Sequence, residues 1–188
     1  QFGPDSLEKD VDFFENLMSG KISPSGKINL YVDPDKERYP AFAIPWLFKR
    51  AKQVHWNNPK ALNSLCMSML YFASECVQEP CDFYDSSLAL ELALRANELT
   101  QGKNSFILDT LARAYWELGN IIGQKMAIKF QQDAWKYAGN DRVWDKLTDW
   151  HGSEKQWSRL MIEWYRNKPP GLTPTENAAF KAFLQLNE

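Results

Sequence analysis

Alanine recurs through the middle of this 188-residue chain at a spacing that suits closely packed helices. Ala89, Ala93 and Ala96, then Leu108, Leu111, Ala112 and Tyr115, then Ala127, Phe130 and Ala134 form three successive stripes at the three-and-four spacing of amphipathic helices. Small side chains on such stripes let helix axes come close together. Ala89, Leu90 and Ala96 return as Ala127, Ile128 and Ala134, each 38 positions further on. A period of that size marks an array in which stacked helix pairs bury a face that no pair could bury alone. The expected fold class is therefore all-α: an α-α superhelix of antiparallel helix pairs, with an irregular N-terminal excursion.

Cap and breaker signals extend this reading to both ends. Asp5 followed by Glu8 reads as a capping box, and Leu7, Val11, Phe14 and Leu17 continue as a helical stripe that stops near Gly20. Residues 20–40 are rich in proline, glycine and turn formers, and only Ile28 to Val32 are extended enough for a strand. So long an irregular stretch calls for a strap packed by Ile28, Leu30 and Tyr31, or for a lid or docking arm. Pro45 is placed as a first-turn proline opening a helix that runs to His55. Asn58 with Pro59 starts a stronger helix through Leu62, Leu65, Cys66, Met69, Phe72, Ala73 and Cys76. Its partner runs over 87–100, reached through the insertion QEPCDFYDSS. After Gly139 the pattern predicts a short helix bearing Trp144, Leu147 and Trp150, followed by a capping box at Ser153 and Gln156. Trp157, Leu160, Met161 and Trp164 line the helix that this box opens. Pro169, Pro170 and Gly171 break the chain before a last helix with Ala179, Phe180, Phe183 and Leu184, suited to cap an array. The expected organisation is residues 1–57 as an N-terminal helix, strap and leading helix, 58–167 as helix pairs, and 168–188 as a capping helix, all in one unit.

Leu108, Leu111, Ala112, Tyr115 and Gly119, followed by Ala127, Ile128 and Ala134, resemble one tetratricopeptide repeat. Ala89, Leu90, Ala93 and Ala96 look like the second helix of the repeat before it. The usual period of that family is about 34 residues, and the longer spacing here is assigned to an extended turn from Gly119 to Ala127. LDTLARAYWELG with the upstream ALELALRA resembles the helical-repeat segments that follow a thioredoxin-like domain in some bacterial proteins. The close resemblance covers about a quarter of the chain and a looser one extends from residue 58 to 166. It implies a non-enzymatic module that binds a protein or peptide, as the partner-recruiting part of a larger thioredoxin-like protein.

Composition narrows the classes of partner. The 22 basic and 24 acidic residues are interspersed, so no basic stripe follows a phosphate backbone and nucleic acid is not an expected partner. Apolar runs fall far short of the roughly 20 residues that span a bilayer, so membrane insertion is not expected either. Eight tryptophans are many for this length, and filling gaps between splayed helices accounts for them best. The chain begins at Gln1 rather than methionine, as a processed secreted protein would, which favours a periplasmic or secreted location over a cytoplasmic one. Of the cysteines, Cys66 falls within an apolar helix; Cys76 and Cys81 are close enough in sequence to pair in an oxidising compartment, but buried, inert thiols are the preferred reading.

The residues of chemistry are scattered. His55 and His151 each stand alone at an expected helix end, where a terminal charge or a packed side chain is the ordinary role. No cysteine or histidine spacing suits zinc, no glycine loop suits a phosphate, and Asp33, Asp35 and Glu37 lack the remaining ligands of a calcium loop. No catalytic residue, metal or cofactor is therefore expected. Binding is expected on the first helix of each pair, at positions between the core stripes: Asp109, Arg113, Trp116 and Glu117, with Asn63, Met67 and Tyr71 facing the same way. Two other readings stand beside it: an enzyme assembled across the groove from residues such as Cys76, Cys81, His55 and Asp109, or a structural spacer.

Overall fold

The computed structural model describes residues 7–19, 21, 40–75, 86–145, 150–169 and 182–183. The strand expected at 28–32, the Cys76 and Cys81 pair, and nearly all of the 20–40 strap and of the C-terminal capping helix fall outside these residues. Within them the chain is mostly helical. Its elements are α1 (Leu7–Met18), α2 (Pro40–Arg50) running into a π-helical turn (Ala51–His55), α3 (Pro59–Glu75), α4 (Ser86–Leu99), α5 (Ser105–Trp116), α6 (Ile121–Tyr137), a hairpin of β1 (Arg142–Asp145) and β2 (Trp150–Ser153), and α7 (Glu154–Asn167).

The helix starts follow the local chemistry. Asn58, Asn104 and Asn120 accept the backbone N–H groups of Ala61, Ile107 and Gly123 at 3.1, 3.1 and 2.8 Å, each answering an orphan donor of a first turn. Ser153 and Gln156 form the reciprocal capping box that their spacing predicts. Gly119 ends α5 at φ +65°, a conformation an L side chain resists. The chain then turns at once, so α6 begins at Ile121 and the long turn expected from Gly119 to Ala127 is instead mostly an extra turn of helix. That turn is forced close to α5: a Cβ at Gly123 would sit 2.3 Å from the Tyr115 carbonyl oxygen.

From α3 to α6 each helix packs on the next, α7 packs on α6, and α3 also touches α5. Ala89 and Ala96 on α4, and Ala127 and Ala134 on α6, which echo them 38 positions later, are all fully buried. Two apolar clusters share α5. Ile107, Leu111 and Ala114 face a large core with Phe14, Leu17, Leu47, Leu62, Leu65, Leu70 and Leu92. Ala112 and Trp116 face a smaller one with Ala127, Met161, Trp164 and Tyr165. Because the larger core draws on α1 through α5, the N-terminal helices and the first helix pair bury their surface together. Among the described residues no helix is long and apolar enough to cross a membrane.

Two expectations are corrected. Trp144 and Trp150 do not lie on a helix; Arg142–Asp145 pairs antiparallel with Trp150–Ser153, with Trp144 opposite His151. A β-branched and aromatic run, Val143 and Trp144, between turn formers favours a strand, and the three-residue apolar spacing is equally compatible with a short hairpin. Helix α2 starts at Pro40, which leaves Pro45 inside it. Pro45 has no N–H for the Ala41 carbonyl, and this loss replaces the helix start expected there.

Candidate functional site

The site is built outward from α5. Residues 109, 113, 116 and 117 lie on the side of that helix away from Leu111 and Ala114, and sequence alone leaves this side open to water. The structure closes much of it with α7. Trp116 is 5 % exposed, its ring 4.8 Å from that of Tyr165 and tilted by 35°. Expected to line an open groove, Trp116 is instead a core residue, because α7 supplies a second layer that α5 buries against. Glu117 is also buried, and its carboxylate accepts Arg113 Nε at 3.2 Å, one turn back along the helix. Asp109 and Arg113 remain half-buried.

Asp109 gathers partners from two other helices. Its Oδ1 accepts Gln131 Nε2 from α6 at 2.7 Å and Trp157 Nε1 from α7 at 3.0 Å. Bonds to an ionised oxygen are stronger than neutral ones, so this atom ties three helices together. The Tyr165 phenol is held well above its ordinary range, first by burial and then by Asp109 and Glu117, against the opposing pull of Arg113. On the other side of α5, burial and then Glu117 push up the Cys66 thiol, again opposed by Arg113. Cys66 donates to the Ala89 carbonyl at 3.2 Å. It is a packed, protonated thiol rather than a nucleophile.

The other expected binding residues lie on α3. Asn63 and Met67 are half-buried, and the amide oxygen of Asn63 is sequestered with no hydrogen-bond partner. Tyr71 continues the backbone of α3, but its side chain lies outside the described residues. His55 belongs to a separate cluster. The π-helical turn aims its ring at Asp10 of α1, with Nε2 to Oδ2 2.8 Å apart, and Arg50 Nε lies 3.0 Å from both oxygens of the same carboxylate. His55 and Asp10 side chains are each 6 % exposed, so this trio fastens α1 to α2 and the turn that follows it.

Sequence reasoning missed Gln131, Trp157 and Tyr165 as members of the Asp109 cluster. A signal was present for the first: Gln131 lies between Ala127 and Ala134 at the spacing of the buried stripe, and a polar residue there needs a buried partner. Nothing comparable marked Trp157 or Tyr165, which fit an ordinary apolar stripe. Among the described residues no three histidine, cysteine or acidic side chains come together as a metal would require. No protein-family model matches the sequence, and no curated protein or solved structure shows significant similarity to it.

Proposed function

We propose that this chain is a non-enzymatic, tetratricopeptide-like helical module that holds a protein or peptide segment along the α3 and α5 faces. The supporting observation is Asn63, whose amide oxygen is out of water and unpartnered on a helix that packs against α5. A sequestered carbonyl without a donor is costly, and rotation of the half-buried Asn63 side chain toward a bound segment would let a backbone N–H answer it. Met67 on the same helix supplies an adaptable apolar contact, and Arg113 a cation still half open to solvent. Asp109, Trp116 and Glu117 serve this surface from behind, by holding Arg113 and α7 in place. The resemblance of the central helices to segments that follow thioredoxin-like domains extends the proposal to a recruiting role within a longer protein.

The test is a peptide array probed with the pure chain, followed by titration of the best binders. Asn63→Ala, Met67→Ala and Arg113→Ala should each weaken binding by about 1–2 kcal/mol, the range of ordinary interface contributors. Lys136→Ala, on an exposed stretch of α6, should bind as the parent does. Equal affinity across all of these variants would overturn the reading.

A further inference from the structure

We propose that Phe48, Trp56 and Glu91 form a surface receptor for an alkylammonium group, the group a lysine side chain carries, and that Lys52 occupies it as an internal stand-in. The site draws on α2, the π-helical turn with the residue after it, and α4, so it does not rest on the α3 and α5 face proposed above for a peptide.

The π turn helps to align the walls. In an unbroken α-helix, residues four apart drift by about 40° around the axis, so positions 48 and 56 would stand about 80° apart. The wider turn over Ala51–His55 winds less per residue and cancels part of that drift. Phe48 and Trp56 are thereby turned toward one cation: Lys52 Nζ lies 5.0 Å from the Phe48 ring centre and 5.1 Å from that of Trp56. Both distances fall within the roughly 6 Å over which a ring face attracts a cation. Glu91 of α4 supplies the third side, its Oε1 accepting from the same nitrogen at 2.7 Å.

Walls and occupant differ in how firmly they are held. Phe48 and Trp56 are half-buried against the large core. Arg95 pins Trp56 further: its Nε donates to the Trp56 carbonyl at 3.2 Å, a second nitrogen donates to Asn57 Oδ1 at 2.9 Å, and its guanidinium carbon lies 5.6 Å from the Trp56 ring. The charge of Arg95 is itself paired with Glu98 at 2.7 Å, which limits its repulsion of a second cation. Lys52, by contrast, is a flexible chain with 46 % of its side chain exposed, and the Glu91 side chain is 45 % exposed. An exposed ion pair of this kind contributes little to stability, so Lys52 can leave while the walls stay in place. What remains is two fixed aromatic rings beside an open carboxylate, a combination that takes ammonium ions.

Because Lys52 competes with any outside ammonium, removing it should strengthen binding rather than weaken it. The probe is n-butylammonium, which is the lysine side chain without its backbone. Binding is followed by NMR at the Trp56 indole N–H, identified by its loss in Trp56→Phe. At constant ionic strength, Lys52→Ala should give a saturable shift with half-saturation at least about five-fold below that of the parent, since a tethered competitor acts at an effective concentration on the order of millimolar. Adding Glu91→Gln to Lys52→Ala should weaken binding about three-fold or more, because a charge-assisted bond becomes a neutral one. The neutral analogue 1-butanol should give no saturable shift. A lysine-containing tetrapeptide that binds Lys52→Ala more tightly than n-butylammonium does assigns the site to a lysine of a protein segment, and equal binding assigns it to free alkylamines. Lys52→Ala removes only an exposed side chain, and an unchanged far-ultraviolet spectrum verifies its fold. Absence of a saturable shift in Lys52→Ala, equal half-saturation in Lys52→Ala and the parent, or an equal response to 1-butanol would overturn the proposal.

Discussion

Truncating Trp116 is the substitution that most cleanly separates an open groove from a closed one. A tryptophan buries about 150–250 Å² on folding, and at about 25 cal/mol per Å² that area is worth roughly 4–6 kcal/mol as an upper estimate. With only 5 % of Trp116 exposed, nearly all of this applies, and the cavity beside Tyr165, Met161 and Ala127 cannot collapse without moving α7. Measured large-to-small changes of this kind cost about 3–5 kcal/mol. Set against a typical total of about 5–15 kcal/mol, that is a large share of the stability of the chain. For a protein of this size each kcal/mol moves the melting temperature by about 2–4 °C, so Trp116→Ala should lower it by roughly 6–20 °C. Trp116→Phe, which keeps a ring against Tyr165, should fall between the two. Thermal unfolding followed by circular dichroism measures both, with urea unfolding giving the free energies. A melting temperature within 2 °C of the parent for Trp116→Ala, against the drop of about 6–20 °C, would show that α7 does not cover this face and that the groove is open.

Other perturbations test other joints. Ala112→Leu and Ala134→Leu insert methylenes into seams with no accessible surface, and each should cost about 1–3 kcal/mol in the same denaturation assay. Asp10→Ala leaves Arg50 and His55 facing each other without their carboxylate, and should destabilise by up to about 3 kcal/mol, read as a lower urea midpoint. Alkaline pH should weaken the fold in two stages. Cys66 and Tyr165 both have pKa values raised by folding, so each contributes its full stability below its unfolded pKa and loses it as pH rises beyond that value. Loss should begin above about pH 8.5 for the thiol and above about pH 10 for the phenol. Cys66→Ala should abolish the first stage of the midpoint-versus-pH curve and leave the second.

Where helices would lie was largely readable from the chain, because their signals are local. Asn58 before Pro59, the Ser153 and Gln156 box, and alanines at three-and-four spacing each act within a turn or two of helix; Asn104 and Asn120 carry the same kind of signal, and the turn expected from Gly119 to Ala127 overlooked the second. Those same interactions are present in the folded protein at hydrogen-bonding distance. The 38-residue echo of Ala89 and Ala96 in Ala127 and Ala134 likewise picked out residues that are all fully buried. Signals that fit two local states were read less well. Val143 and Trp144 suit a strand as readily as one turn of helix, and only pairing with His151 and Gly152 chose between them.

Which side of α5 meets water was not a property of α5 at all. Its stripe of Leu111 and Ala114 identifies one buried face, but a helix can bury a second face if another element arrives to cover it. That element is α7, whose Tyr165 covers Trp116 and whose Trp157 bonds Asp109. Burial of a side chain depends on everything within a few ångströms, and those neighbours lie about 50 positions away in the sequence. For the same reason the chain alone determined that Asp109, Arg113 and Glu117 are charged and spaced along one helix. Tertiary packing decided that Asp109 ties α5 to α6 and α7 and that Glu117 is buried against Arg113, while Asn63, Met67 and Arg113 stay half-buried.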